Sequence, residues 1–253
     1  MDALYKNPRY YEIAFSYRDI PHEVDVLEEC MRRYSLIPVE KVLELGCGNS
    51  PHMEELLKRG YQYAGIDISE EMIRYSKSKA SSMDKSAYLV RADMRDFSLE
   101  FDVDFVFIML GSLYVKNNDE LTSHLDSVNR ALRSGGLYFL DWCVNFSPLN
   151  DISGSWESEV DGIKVKTRYS ARIINKVEQL YEESISVVVN DNGLEQEYTE
   201  YSIKKAIYPQ EFLLLLRTRS DFDFIGWWNN WNLDNPLEGT EEISRPIILL
   251  RKR

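Results

Sequence analysis

The sequence predicts an α/β fold in which a mostly parallel sheet lies between two layers of helices. Short apolar runs alternate with helical patterns over residues 41–143, which is typical of parallel strands joined by crossover helices. A glycine-rich turn follows the first of these runs. Over about residues 150–205 the hydrophobic period changes from helical to two, which indicates antiparallel strands inserted into the fold.

Length and composition are those of an ordinary globular protein. The chain has 253 residues, of which 44% are hydrophobic and 28% are charged, so it can bury a core of its own. Its net charge of −12 disfavours nucleic acid as a partner, because a surface of that sign repels phosphates. The sequence contains no run of about 18 apolar residues and no signal-peptide pattern, so it predicts neither a membrane span nor secretion.

The cysteines also bear on location and on metals. Cys30, Cys47 and Cys143 are odd in number and far apart, without the spacing of a disulfide framework or a zinc site. We therefore expect a reducing compartment, the cytoplasm. The acidic residues show no ion-site spacing, so no metal site is predicted. The sequence gives no indication of the oligomeric state.

Residues 1–40 are predicted to form a helical cap. Val24, Leu27, Cys30 and Met31 recur at helical spacing, and such an amphipathic segment needs a partner surface to cover.

The first strands and helices follow in order. Residues 42–45 form the first apolar run, and a helix is predicted over about 50–59, with Ser50 as its N-cap and Pro51 at its first position. Residues 63–67 form the second strand, and Ser69 caps the next helix. The third and fourth strands are predicted at 87–90 and 103–110.

The later elements are predicted in the same way. Leu121, Leu125, Val128 and Leu132 give a helix that the segment 134–136, Ser-Gly-Gly, ends. A fifth strand follows at 137–140. Within the antiparallel segment, the run Asn-Asp-Asn-Gly at 190–193 is a strong reversal signal. A helix at 209–219 and strands at 222–228 and 246–250 complete seven strands for the main sheet.

The glycine turn indicates the kind of ligand. Gly46 and Gly48 allow a tight turn at the carboxyl end of a strand. Pro51 stands where a dinucleotide fingerprint needs its third glycine, which weakens the hypothesis of an NAD-dependent oxidoreductase. Asp67 ends the second strand, where an acid can bind a ribose diol, and Asp93 follows the third strand. With Glu44 beside the turn, these acids favour an adenosine with a cationic tail, a description that S-adenosylmethionine matches.

In these residues the sequence resembles the class I S-adenosylmethionine-dependent methyltransferases. ELGCGNS resembles that superfamily's first motif, GIDIS with SEEMI the second, RADMRDF the third, and DFVFIMLGSLYV the strand with the substrate-side loop. A looser likeness is to the small-molecule N-methyltransferase branch, of amino-sugar and glycine type. Many relatives have a third glycine where this chain has Ser50.

The resemblance implies a Rossmann-like three-layer fold whose last strand is antiparallel and inserts between its neighbours. It divides the chain into an N-terminal cap at 1–40, a cofactor-binding core at 41–149 and 206–253, and an antiparallel insertion at 150–205 that acts as a substrate lid.

The resemblance also implies the cofactor site and its contacts. Glu44, Gly46 and Gly48 would contact the methionine portion, Asp67 the ribose, and Asp93 with the backbone of Met94 the adenine. Met109, Leu110 and Ser112 would face the sulfonium that carries the methyl group. The full set of implied cofactor-binding residues is Glu44, Gly46, Cys47, Gly48, Asp67, Ile68, Asp93, Met94, Met109, Leu110 and Ser112.

The predicted activity is in-line transfer of a methyl group from S-adenosylmethionine to a small molecule, with nitrogen preferred to oxygen as the acceptor and S-adenosylhomocysteine as the product. Tyr11 and Tyr114 are the candidate catalytic residues, and Arg18 and Trp231 the candidate substrate contacts. Two alternatives remain open: methylation of a protein side chain, and a module that binds S-adenosylmethionine without turnover. The three histidines are expected to be structural or solvent-facing.

Overall fold

A computed structural model of the chain describes residues 4–148, 150–238, 240 and 242–253. The predicted domain boundary at residue 149 lies outside the described residues. A short 3-10 turn at Leu4–Lys6 precedes six α-helices of the described chain: α1 Pro8–Ala14, α2 Ile20–Tyr34, α3 Met53–Lys58, α4 Glu70–Ser82, α5 Asn118–Ala131 and α6 Pro209–Thr218.

The strands form two sheets in the described part of the chain. The main sheet contains β1 Lys41–Leu45, β2 Gln62–Asp67, β3 Tyr88–Arg91, β4 Val103–Ile108, β5 Leu132–Asp141, β10 Phe222–Trp228 and β11 Ile247–Lys252. The second sheet, which we call the roof sheet, contains β6 Ile152–Val160, β7 Ile163–Asn175, β8 Leu180–Asp191 and β9 Leu194–Lys205.

The order of the main sheet is β10-β11-β5-β4-β1-β2-β3. Strands β1 to β5 run parallel, and β11 lies antiparallel between β5 and β10. The three-layer α/β prediction is therefore confirmed, and so is the inserted last strand. The roof sheet is antiparallel throughout, as the period-two pattern predicts.

The core lies on both faces of the main sheet. Leu43 and Val106 belong to the apolar cluster on one face, whereas Val42, Phe105 and Phe107 belong to the cluster on the other. Because helices cover both faces, these strands are continuous apolar runs. In the described residues, no helix is both long enough and apolar enough to cross a membrane.

The N-terminal segment packs against both sheets, whereas the sequence predicts one helical cap. Val24 and Leu27 of α2 pack into the main-sheet core. Leu4 and Ile13, from the 3-10 turn and α1, pack instead against Val187 and neighbouring residues of the roof sheet. The 3-10 turn and α1 thus support the roof sheet.

Two predicted boundaries are wrong. Helix α3 begins at Met53 with His52 as its N-cap, and Ser50 has a φ of 49°, so Ser50 belongs to the turn and caps no helix. Helix α5 ends at Ala131 because β5 begins at once with Leu132, which pairs with Val103. The glycines expected to end α5 lie inside β5, where a Cβ on Gly136 would come within 2.5 Å of the Asp104 carbonyl oxygen.

Candidate active site

A cavity of about 490 Å³ lies where the carboxyl ends of the parallel strands meet the roof sheet. Its floor comes from the turns and strand ends of the main sheet, and the other side comes from the N-terminal segment and the roof sheet. The floor residues are Gly46, Gly48, Asp67, Ile68, Met72, Ala92, Asp93, Met94, Arg95, Ser112, Tyr114 and Lys116. The opposite side contains Tyr5, Tyr11, Glu182, Glu200, Tyr201, Ser202 and Ile203.

The glycine turn is shaped by its backbone. Gly46 and Gly48 have φ values of 63° and 52°, in the left-handed region that favours glycine. A Cβ on Gly46 would lie 2.8 Å from the terminal methyl of Met94, so only glycine leaves that methyl in place. The turn therefore presents backbone rather than side chains to the cavity.

Asp67 is fixed by this turn. Its carboxylate accepts the backbone N–H of Gly48 at 2.8 Å and that of Ser69 at 2.8 Å. Burial raises its pKa, and the two N–H groups act in the opposite direction. A carboxylate has about four lone-pair sites, so further sites remain for hydroxyl donors of a ligand.

Asp93 faces the cavity as half of an ion pair. Arg95 donates to it from the guanidinium at 2.5 Å and from the backbone N–H at 2.9 Å. The Arg95 side chain holds the pKa of Asp93 below its usual range. Asp93 thus stays ionised, and Arg95, also on the cavity wall, is neutralised by it.

Glu44 and Cys47 lie behind the turn rather than on the wall. Glu44 accepts the Tyr63 hydroxyl at 2.5 Å and lies 2.8 Å from Nδ1 of His52. The Cys47 thiol packs against Gly65, and burial raises its pKa, so it stays protonated. Neither is among the described lining residues.

Met109 and Leu110 also lie off the wall of the described cavity, whereas Ser112 lines it. Met109 is buried in the main-sheet core. Leu110, with a φ of 54°, donates its N–H to the carboxylate of Asp141 at 2.8 Å. They shape the loop that carries Ser112.

Arg18 and Trp231 belong to a buried charge network outside the cavity. Arg18 donates to Glu23 at 2.5 Å, and Glu23 lies 2.9 Å from Nε2 of His52. Trp231 donates its ring N–H to Asp141 at 2.9 Å. Neither Arg18 nor Trp231 faces the described cavity, so both stabilise the loops behind it.

His52 connects the two acids of this network. It is fully buried between Glu44 and Glu23. Burial alone would lower its pKa, but the carboxylates raise it above its usual value. His52 therefore takes up a proton more readily than a free imidazole and joins the two carboxylates behind the turn.

Tyr11 and Tyr114 both line the cavity, together with Tyr5. The rings of Tyr5 and Tyr11 lie 5.6 Å apart, and the side chains of Tyr5 and Tyr114 interact. Burial raises the pKa of all three phenols. At neutral pH they are neutral hydrogen-bonding groups, and they do not act as bases.

No sequence pattern singles out the individual roof-sheet residues that line the cavity. A period-two pattern predicts a strand, but it does not tell which face meets the cavity. In the structure Glu200 and Ser202 of β9 share the face that carries Tyr198, which packs toward α1. Tyr5 was missed because it precedes any regular pattern.

Residues 42–136 match a family model described as a methyltransferase domain. A dTDP-3-amino-3,4,6-trideoxy-alpha-D-glucopyranose N,N-dimethyltransferase of Streptomyces venezuelae is 30% identical over 101 residues, 40% of this chain and 41% of that protein. A mouse eEF1A lysine and N-terminal methyltransferase is 36% identical over 129 residues, 47% of this chain and 18% of that protein. The chain thus spans less than half the length of these relatives.

The fold continues beyond the matched region. The crystal structure of Streptomyces venezuelae DesVI superposes with a TM-score of 0.78 over 97% of this chain and 98% of that one, at 17% identity. This likeness extends to the roof sheet and the last strand. The prediction of a methyltransferase domain is confirmed.

Proposed function

We propose that this chain, a class I S-adenosylmethionine-dependent methyltransferase by its domain at residues 42–136, transfers a methyl group to an amino group of a small molecule. The proposal rests on one observation: the glycine turn, the strand ends of the main sheet and the roof sheet all line the same cavity.

The residues present fit S-adenosylmethionine. Carboxylates on the cavity wall outnumber cations, since the acids are Asp67, Asp93, Glu182 and Glu200 and the bases are Arg95 and Lys116. Such a wall suits a ligand with a positive charge and disfavours a pyrophosphate. Asp67 also keeps acceptor sites for a ribose diol beside the glycine turn.

When bound, S-adenosylmethionine supplies a methyl group on positively charged sulfur, which needs no acid to leave. Asp67 would accept hydrogen bonds from the ribose hydroxyls, and Ile68 and Met72 would supply apolar surface beside it. The glycine turn at residues 46–48 offers backbone groups to the amino-acid tail. The roof sheet excludes water and aligns the acceptor, which is most of what an in-line displacement requires.

A small acceptor fits the cavity. Its volume of about 490 Å³ is within the range of small-molecule sites. The Streptomyces venezuelae relative is named for an amino sugar, which supports nitrogen as the acceptor atom. The same wall carries tyrosine rings and Glu200, whose Oε2 has no hydrogen-bond partner among the described residues. Both features favour a cationic amine over a neutral alcohol.

We place the reaction in a reducing compartment, the cytoplasm. The three cysteines are free and buried, and they form no disulfide. This arrangement supports the expectation from their spacing.

The test is transfer of labelled methyl from S-adenosylmethionine to a small-molecule extract and to a desalted protein extract. We expect label in small amines, and amino sugars methylated before their hydroxyl analogues. Label in protein alone would support methylation of a protein side chain, the activity for which the mouse eEF1A lysine and N-terminal methyltransferase is named. Binding of the cofactor without transfer to either extract would support a binding module.

A further inference from the structure

Glu200 carries an unsatisfied oxygen at the cavity. Its Oε2 is buried and accepts no hydrogen bond from any residue that the structure describes. Such an oxygen is costly in a folded protein unless a ligand supplies its donor. Glu200 also lines the cavity, so rotation of its side chain would bring this oxygen to a ligand there.

The other acids nearby are already paired. Asp67 accepts two backbone N–H groups, and Asp93 is paired with Arg95. Glu182 pairs with Arg172 at 3.1 Å, and Glu183 with Lys204 at 2.9 Å. Among the described acids of this region, Glu200 differs in having a buried carboxylate oxygen that receives no hydrogen bond from the protein.

The surroundings of Glu200 favour a cation as that ligand. Tyr5 and Tyr11 line the same cavity, and the faces of aromatic rings attract cations. Burial raises the pKa of Glu200, against the effects of the Tyr5 backbone N–H and the charge of Lys6. The carboxylate therefore accepts a proton more readily than an exposed glutamate does.

We propose that Glu200 binds the ammonium form of the methyl acceptor and takes a proton from it. This inference rests on the proposed function and names its acceptor as a small primary or secondary amine. The hydroxyl of Ser202, on the same face of β9, and the three phenols complete the acceptor pocket.

The step balances in protons and electrons. A proton passes from the acceptor nitrogen to Glu200, which leaves a neutral amine with a free electron pair. That pair forms the new nitrogen–carbon bond while the carbon–sulfur bond breaks and its electrons stay on sulfur. The product is a methylated ammonium ion, and Glu200 returns the proton to solvent when the product leaves.

The binding test compares two probes of one shape, cyclohexylammonium and cyclohexanol, on the full chain saturated with S-adenosylhomocysteine. Affinities are measured by ligand-observed NMR for the wild type, for Glu200→Gln and for Glu197→Gln. Glu197 is an exposed glutamate on the same strand, three residues away, and serves as the matched control. Affinity for S-adenosylhomocysteine reports that each variant is folded.

We expect the wild type and Glu197→Gln to bind cyclohexylammonium roughly 10- to 100-fold more tightly than cyclohexanol, as for a hydrogen bond to a charged group. Glu200→Gln should lose that preference and keep its affinity for S-adenosylhomocysteine. A preference retained in Glu200→Gln, or absent from the wild type, would overturn the inference and leave the proposed function standing. No binding of S-adenosylhomocysteine to the wild type would contradict both.

Proton transfer to Glu200 is tested separately by steady-state kinetics, with the amine that the labelled-methyl assay identifies as the substrate. Glu200→Gln should lower kcat by roughly 10²- to 10⁴-fold, the usual contribution of a general base, at unchanged KM for S-adenosylmethionine. An unchanged kcat would remove the proton-accepting role from Glu200.

Discussion

Lys204 of the roof sheet donates a hydrogen bond of 2.7 Å from its ammonium group to the carbonyl oxygen of Gly111, in the loop after β4. The same ammonium lies 2.9 Å from Glu183 and 5.2 Å from the ring centroid of Tyr114. Lys204 thus joins the roof sheet to the loop that carries Ser112 and Tyr114 into the cavity.

Replacing Lys204 with methionine should destabilise the protein by about 3–5 kcal/mol, because Glu183 would remain as a buried charge without its partner. Urea unfolding measures this loss. The double variant Lys204→Met with Glu183→Gln should recover part of it. Lys164→Met removes an exposed pair with Glu159 and should change the free energy of unfolding by less than about 1 kcal/mol. Equal losses in Lys204→Met and Lys164→Met would contradict the importance of this contact.

Asp67 should be essential for cofactor affinity. Asp67→Ala removes the acceptor of the Gly48 N–H and of the proposed ribose hydroxyls, so S-adenosylmethionine should bind about 1–3 kcal/mol more weakly. Titration calorimetry measures the change. Asp67→Asn keeps one acceptor oxygen and should lose less. Asp96→Ala, which removes an exposed acid paired with Arg130, is the control and should bind normally. Unchanged affinity in Asp67→Ala would exclude Asp67 from the site.

Ser50→Gly should stabilise the chain. Ser50 has a φ of 49°, which costs an L-residue roughly 1–2 kcal/mol, whereas glycine loses up to about 1 kcal/mol of additional entropy on folding. The expected net gain in the free energy of unfolding is roughly 0.5–1 kcal/mol by chemical denaturation. Ser81→Gly, at an ordinary helical position of α4, should instead destabilise. A loss in both variants would show that the turn does not strain Ser50.

His124 should make stability depend on pH. Burial lowers its pKa to about 4, and it lies 2.8 Å from the Met94 carbonyl oxygen and 2.7 Å from the Tyr138 hydroxyl. The unfolded state, with a pKa of about 6.5, binds more protons between these values, so stability falls as pH drops through this window. The loss due to His124 between pH 7.5 and 5 should be roughly 2 kcal/mol.

The measurement is the difference in pH dependence between the wild type and His124→Gln, by urea unfolding at both pH values. His22→Gln changes an exposed histidine and should keep the wild-type slope. If His124→Gln shows the same slope as the wild type, His124 does not titrate as described.

Much of the fold was accessible from local patterns. The apolar runs that became β1, β2 and β4 are buried on both faces, and the glycine turn lies where the first run ends, because strand periodicity and turn chemistry are local properties. The boundary at Ser50 was missed because a serine before a proline is typical of a helix N-cap. Here the tertiary turn holds it in a left-handed conformation instead.

The site was predicted in part. Asp67, Asp93 and Ser112 line the cavity because they follow strand ends, which meet at one edge of a parallel sheet. Glu44 and Arg18 are charged, which suggests a contact with a ligand. In the structure, however, Glu44 pairs with His52 and Arg18 pairs with Glu23 in a buried network. Glu200 could not be chosen from several glutamates of β8 and β9, since its position depends on how the roof sheet packs.

Binding of S-adenosylmethionine is tested by calorimetric titration of the full chain with S-adenosylmethionine and, separately, with NAD. We expect saturable binding of S-adenosylmethionine in the micromolar range and no binding of NAD, because the cavity wall is acidic and Pro51 interrupts the dinucleotide fingerprint. Binding of NAD with no measurable binding of S-adenosylmethionine would contradict this expectation.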